Sequence, residues 1–101
     1  MYEKNNIRKL SKLGSHANAA WQSFVAFDKA ALEDGAIPKK YKELTAIAVA
    51  LTTQCPYCID IHVDAARKAG VSEQELAETA FVAAALRAGA AVTHATHLLK
   101  E

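Results

Sequence analysis

Residues that interrupt helices divide this sequence into segments of helical length, and this spacing limits the fold more than any other feature. The interruptions fall at Asp34-Gly35, Pro38, Pro56 and Gly70. Between them, apolar residues recur at intervals of three and four, whereas the alternation that is typical of strands is nearly absent. Alanine, which has the highest helix propensity, is abundant. The sequence therefore predicts an all-α fold, a compact bundle of four to five helices.

Start and stop signals set the predicted boundaries of these helices. Cys55 is predicted at the N-cap of the third helix, with Pro56 in the first turn, where proline is tolerated. Ser72 and Glu75 have the spacing of a capping box at the start of the fourth helix. Gly89 then leaves two alternatives open, one long kinked helix or a fifth short helix. The predicted helices cover about residues 15–33, 39–54, 56–69 and 73–86.

Length and charge predict one soluble domain over residues 1–101, with residues 1–14 as a peripheral, solvated tail. The formal net charge of +1 gives no strong field that would attract nucleic acid or an anionic membrane surface. The first residues do not have the pattern of a signal peptide, and no run of roughly 18 consecutive apolar residues occurs. We therefore expect a cytoplasmic protein with no nucleic-acid or membrane partner.

The abundance of alanine also bears on assembly. Alanine buries little apolar area, so a core of this size and composition would be weakly stabilised in a single chain. Small side chains also let helices approach one another closely. We therefore expect a homo-oligomer that associates through helical faces. Trp21, Phe24 and Phe27 recur at helical spacing and are predicted to be core or interface anchors rather than a cofactor site.

The sequence Cys55-Pro56-Tyr57-Cys58 is the clearest chemical feature. Two cysteines three residues apart at the start of a helix lie on one face, close enough to form a disulfide. The partial positive charge and free N–H groups of a helix N-terminus favour a thiolate, which is the reactive form. A cysteine pair in a reducing compartment is more often catalytic or metal-binding than structural. The motif therefore predicts a redox-active pair.

His62 and Glu43 are candidates for handling the proton of a cysteine. His62 lies one helical turn after Cys58, and an imidazole can accept a proton near neutral pH. The alternative interpretation of His62 is that of an ordinary polar residue on a helix face. Glu43 shares a face with core residues of the preceding helix, but a hairpin turning at Cys55 leaves it about five residues, or roughly 7 Å, beyond His62. Its alternative is a surface carboxylate beside neighbouring lysines.

The combined pattern resembles a known family. Glu43, eleven residues, Cys55-x-x-Cys58, three residues and His62 are similar to the signature of the alkylhydroperoxidase D-like group, within the wider carboxymuconolactone decarboxylase family. The resemblance extends over roughly residues 30–99. It implies a helical core assembled as homotrimers or homohexamers, and a peroxidase or disulfide reductase without a cofactor.

The resemblance also implies roles for the four residues. Glu43 and His62 would form a proton relay, Cys58 would be the activated thiol, and Cys55 would exchange with an outside thiol or disulfide. Position at the helix end instead favours Cys55 as the nucleophile, so the division between the cysteines stays open. The implied partners are a peroxide substrate and a dithiol reductant of lipoyl or thioredoxin-like type. The activity would be a peroxiredoxin-type antioxidant one.

This sequence departs from the family pattern in one position that bears on the relay. The name-giving enzyme carries a His immediately before the second cysteine, where this chain has Tyr57. A phenol is a poor substitute base, so peroxidase rates could be lower. Tyr57 is instead a candidate for the border of a pocket, and His94 is a weaker candidate. The decarboxylase branch lacks the cysteine pair, which argues against lactone decarboxylation.

Two other functions stay open on the sequence alone. Cys55, Cys58, His62 and Glu43 are possible zinc ligands by type, although three of them lie on one continuous helix and would not readily surround a tetrahedral ion. The second alternative is a non-catalytic oligomeric scaffold. His94 and His97, three residues apart, are interpreted as a partly exposed helix face rather than a metal site.

Overall fold

Every regular element that the structure describes is a helix. The computed structural model describes residues 3–101, and no strand occurs in that range, which confirms the predicted all-α fold. Two short 3-10 helices, Lys4–Lys9 and Ala95–Leu98, precede and follow the α-helices. The α-helices are α1 (Leu10–His16), α2 (Asn18–Leu32), α3 (Lys39–Thr53), α4 (Pro56–Lys68) and α5 (Glu73–His94).

The helix boundaries follow the local start and stop signals. Pro56 opens α4 with Cys55 as its N-cap, and Gly70 follows α4 with a φ of 90°, a conformation that glycine adopts without strain. α5 continues through Gly89 to His94, so the alternative of one long helix is the correct one. The first predicted helix is divided near Ala17, where the backbone leaves the helical region between α1 and α2.

The buried core lies where α3 packs against α4 and α5. Its centre is formed by Ile47, Ala66 and Val71, with Leu44 and Leu76 packed against them. This core is small, as the alanine-rich composition predicts, because alanine contributes only a methyl group to it. Its importance for function is that it fixes α3 and α4 as a hairpin, with the two cysteines at the turn.

Polar contacts join the starts of α3 and α5. Ser72 and Glu75 form the predicted capping box, in which each side chain accepts a hydrogen bond from the other residue's backbone N–H. Lys40 Nζ lies 3.0 Å from the second Glu75 carboxylate oxygen. The Ser72 N–H bond and the Lys40 ammonium hold the pKa of Glu75 below its usual range, and the hydrogen bond to Glu75 raises the pKa of Lys40.

Large apolar side chains on α2 and α5 are exposed in the single chain. Phe24 and Phe27 are 55% and 71% exposed, so the apolar face of α2 is not part of the chain's own core. On α5, Phe81 and Leu86 are 76% and 67% exposed. Exposed apolar side chains of this size are candidates for contacts with other molecules.

The segment Glu73–Leu98, which includes α5, is also long and apolar enough to cross a membrane by length and composition. Only 6% of its most apolar window is buried within the chain. The core helix of a soluble protein passes the same test of length and composition. Arg87 also lies near the middle of the segment, and a charged side chain is costly inside a bilayer.

Candidate functional site

The turn between α3 and α4 brings the two cysteines together. α3 ends at Thr53, and the next residue, Gln54, adopts a left-handed conformation with φ of 56°. The Cys55 N–H donates to the Ala50 carbonyl and closes the helix end. Pro56 then starts α4 immediately. Cys55 and Cys58 form a disulfide, with their Cα atoms 5.3 Å apart. The Cys58 N–H also donates to Cys55 Sγ at 3.2 Å, so the sulfur of this N-cap residue accepts a hydrogen bond from the first turn of α4.

Glu43 and His62 contact each other directly. Glu43 Oε1 lies 2.7 Å from His62 Nδ1. The Glu43 residue is only 1% exposed, which overturns the alternative of a surface carboxylate. The gap of about five residues that the sequence suggested does not separate the two side chains, because α3 and α4 pack in a register that brings Glu43 against His62. No bridging water or bent helix is needed to connect the two side chains.

Lys39 completes a short chain of charged groups. Its ammonium lies 3.5 Å from the second Glu43 oxygen, and its side chain is 47% exposed, whereas that of Glu43 is 2% exposed. Burying a carboxylate is costly unless it is hydrogen-bonded and paired. Here both oxygens have partners. Glu43 Oε1 accepts a hydrogen bond from His62 Nδ1. The other ring nitrogen, Nε2, is therefore the one that can exchange a proton with a reacting group.

A cavity of about 480 Å³ lies beside Cys58 and His62, between α2, α4 and the N-terminal helical segment. Cys58 lines this cavity, whereas Cys55 does not. Most of the remaining lining is apolar and includes Trp21 and Phe24. A second cleft of about 590 Å³ lies between the first 3-10 helix and α4, but neither cysteine lines it. Of these two spaces, only the cavity of about 480 Å³ is lined by one of the two cysteines.

Tyr57 lines both of these spaces, in the position that the sequence proposed for a pocket border. Its hydroxyl oxygen accepts hydrogen bonds from Asn6 Nδ2 and the Glu3 backbone N–H, each at 3.2 Å. The N-terminal segment is therefore helical and bound, through this hydroxyl, to the turn that holds Cys55 and Cys58. No local sequence signal indicated this contact, because it joins residues about fifty positions apart.

His94 and His97 lie outside the site. Their rings are 4.8 Å apart at the end of α5, both residues are exposed, and neither lines the cavity beside Cys58. Over residues 3–101, no three His, Cys, Asp or Glu side chains converge as a metal site would require. The two cysteine sulfurs are bonded to each other.

Comparison with known proteins gives the family. The sequence profile of the carboxymuconolactone decarboxylase family matches residues 18–101. The chain belongs to the carboxymuconolactone decarboxylase family. A crystal structure of a carboxymuconolactone decarboxylase family protein from Legionella pneumophila superposes with a TM-score of 0.78 at 33% identity, over 92% of this chain and 83% of that one.

Other similar proteins carry no assigned activity in their names. A crystal structure of a protein from Methanobacterium thermoautotrophicum has a TM-score of 0.80 at 32% identity, covering 85% of this chain and 97% of that one. Uncharacterised protein 4 of the cox locus of Paracoccus denitrificans is 47% identical over 77 residues, which are 76% of this chain and 69% of that protein. An uncharacterised protein of Cupriavidus necator is 30% identical over 92 residues, 91% of this chain and 81% of that protein. The carboxymuconolactone decarboxylase family includes alkylhydroperoxidase-like members.

Proposed function

We propose that this protein is a thiol-dependent oxidoreductase in which the Cys55–Cys58 pair reduces hydroperoxides, with Glu43 and His62 as a proton relay. One observation carries the proposal: His62 Nδ1 lies 2.7 Å from the buried carboxylate of Glu43, one helical turn after Cys58 of the disulfide. An imidazole that is oriented by a carboxylate and lies near a cysteine is the arrangement that activates a thiol.

Cys58 is the attacking thiol in this proposal. It lines the cavity together with His62, whereas Cys55 does not, which favours Cys58 over the assignment from helix-end position alone. His62 Nε2 takes the Cys58 proton, and the thiolate attacks the outer oxygen of the hydroperoxide. The O–O bond breaks, the alkoxide takes a proton from His62 and leaves as an alcohol, and Cys58 becomes a sulfenic acid.

Cys55 then resolves the sulfenic acid. Its thiolate, favoured by the N-terminus of α4, attacks Cys58 Sγ and the S–O bond breaks. The hydroxide that leaves takes up the proton that the Cys55 thiol gave up and departs as water. The product is the Cys55–Cys58 disulfide that the structure contains. An external dithiol returns both cysteines to thiols and is itself oxidised to a disulfide. Through the same exchange, the reduced pair could also reduce a disulfide of a partner.

Several parts of this proposal extend the family resemblance. The reductant is proposed to be a lipoyl-type dithiol or a thioredoxin-like protein, and the protein is proposed to act in the cytoplasm as a homotrimer or homohexamer. The exposed apolar side chains of α5, which include Phe81 and Leu86, support association of this kind. The non-catalytic scaffold alternative predicts that the cysteines contribute only to stability, so cysteine variants distinguish the two functions.

The test is turnover of cumene hydroperoxide with dihydrolipoamide as reductant. Cys58→Ser should abolish turnover, whereas Cys55→Ser should allow one reduction per chain and leave Cys58 as a sulfenic acid that dimedone traps. His97→Ala, which removes an exposed imidazole outside the site, is the matched control for His62→Ala. Full turnover by Cys58→Ser, with any hydroperoxide or with a small disulfide substrate, would refute the proposal.

A further inference from the structure

Trp21 is seated directly on the backbone of α1. Gly14 is buried, and a Cβ atom added there would lie 2.5 Å from Cγ of the Trp21 ring and 2.6 Å from two of its neighbours. Any larger residue would therefore push the ring away. Because Gly14 has only a hydrogen in this direction, the indole lies against α1. This contact fixes Trp21 in the wall of the cavity that contains Cys58.

Phe24 places a second aromatic ring in the same wall. It follows Trp21 by about one turn of α2, with ring centroids 6.0 Å apart and an angle of 36° between the planes. Ile7 and Ile61 add apolar surface from the N-terminal segment and from α4. The cavity therefore combines two aromatic rings with the proposed attacking thiol, Cys58.

The N-terminal segment closes one side of this cavity. Asn6 and Ile7 line it, and Asn6 is bound to the hydroxyl of Tyr57, the residue immediately before Cys58. A hydrogen bond thus connects the cavity wall at Asn6 with the turn that holds Cys55 and Cys58. Asp28 is the only carboxylate of the cavity lining. Its negative charge favours a neutral ligand over an anionic one.

We propose that this cavity binds a neutral, planar apolar group of the substrate, and that Trp21 and Phe24 are its specificity-determining residues. The inference rests on the thiol chemistry proposed above, because the cavity gives the substrate its access to Cys58. Its volume of about 480 Å³ is within the usual range for small-molecule sites. A ring seated against the two aromatic side chains holds an attached O–O bond near the sulfur. Hydrogen peroxide has no such group and gains nothing from the wall.

Binding can be tested without any thiol reaction. Trp21 is the only tryptophan of the chain, so its fluorescence reports directly on the cavity. The probe is 2-phenyl-2-propanol, the neutral alcohol that corresponds to cumene hydroperoxide. We expect a saturable change in Trp21 emission, and weaker binding of benzoate, which has a similar ring but a negative charge.

Phe24→Ala should weaken binding of the alcohol about five- to tenfold, since a contact between aromatic rings is worth about 0.5–1.5 kcal/mol in addition to the area that it buries. Phe27→Ala is the matched control, because Phe27 lies on the same helix, is 71% exposed and does not line the cavity. An absent or non-saturable fluorescence response would overturn the inference. Equal weakening by Phe24→Ala and Phe27→Ala would also overturn it.

Kinetics with two peroxides separates specificity from general damage. For cumene hydroperoxide, Phe24→Ala should raise KM about five- to tenfold with kcat unchanged, and kcat/KM for hydrogen peroxide should stay the same. Gly14→Ala, which displaces the Trp21 ring, should also raise KM for cumene hydroperoxide and leave kcat/KM for hydrogen peroxide the same. Its helical circular dichroism should be retained. An equal loss of kcat/KM with both peroxides would contradict the inference. Saturable binding of the alcohol without turnover of either peroxide would refute the proposed function and support the binding site alone.

Discussion

Replacing Glu43 by glutamine tests the proton relay while it leaves the shape of the site almost unchanged. Glutamine has the same size and can still accept a hydrogen bond from His62 Nδ1, but it carries no charge. The negative charge that stabilises a protonated His62 is therefore lost. The contact is 2.7 Å long and buried, so solvent does not replace this charge.

The expected magnitudes of the two effects differ. The loss of general acid–base catalysis should lower kcat/KM for cumene hydroperoxide about 10²-fold, which corresponds to about 2.7 kcal/mol. The stability change should be smaller. The ion pair with Lys39 is long at 3.5 Å and half-exposed, and pairs of this kind contribute at most about 1 kcal/mol. Glu43→Gln should therefore lose activity with little loss of stability.

Glu43→Ala should lose both activity and stability. It leaves His62 Nδ1 without a partner in a site where the His62 side chain is only 19% exposed. An unsatisfied buried donor costs about 1–3 kcal/mol, and we expect the lower half of that range because water can reach part of the ring. Urea unfolding measures this loss, and single-turnover kinetics of the reduced protein with cumene hydroperoxide measures the activity of both variants.

The matched control is Glu33→Gln, which removes a carboxylate that pairs with Lys29 on the surface of the chain, where the Glu33 side chain is 60% exposed. This variant should keep wild-type kcat/KM. The reasoning would be refuted if Glu43→Gln, with its contact to His62 kept, reacted with the hydroperoxide within about twofold of the wild-type rate. It would also be refuted if Glu33→Gln and Glu43→Gln reduced the rate equally.

Four further changes test other parts of the structure. Ser72→Ala removes the N-cap of α5 and should lower the free energy of unfolding by about 1 kcal/mol in urea. The pKa of Glu75 is lowered in the folded chain, so the stability from this carboxylate is present above its ordinary pKa of 4.5 and is lost as the pH falls below it. In Glu75→Gln, the free energy of unfolding should therefore fall less steeply as the pH is lowered. Tyr57→Phe removes the acceptor for the N-terminal segment, and limited proteolysis should cut before α1 faster than in the wild type, with no change at the C-terminus. Phe81→Glu places a charge on the exposed face of α5 and should shift the protein to smaller species in light scattering, whereas an unchanged mass would argue against α5 as an interface.

Local sequence signals predicted the helices well because each acts within one turn of the chain. Pro56 can only open a helix at its position, and Ser72 with Glu75 satisfies free N–H groups of α5 whatever the rest of the fold does. The periodic apolar face of α2 was equally visible. Periodicity shows that a face is apolar but not what covers it, and the single chain leaves Phe24 and Phe27 exposed.

The site was predicted in its residue types but not in its distances. The direct contact between Glu43 and His62 depends on the register in which α3 and α4 pack. A hairpin assumed to turn at Cys55 placed the carboxylate about five residues too far away, because residue spacing alone does not give the register of two packed helices. The Trp21 wall was also missed as a pocket, because the approach of its ring to Gly14 depends on how α1 crosses α2.

The most direct test of the redox proposal is the mass of the fully reduced protein after one equivalent of cumene hydroperoxide under anaerobic conditions. The proposal predicts that each chain loses two hydrogens, that both thiols disappear from thiol titration, and that a peptide containing the Cys55–Cys58 disulfide is recovered with one equivalent of 2-phenyl-2-propanol. Unchanged mass with both thiols still titratable and the hydroperoxide intact would contradict it.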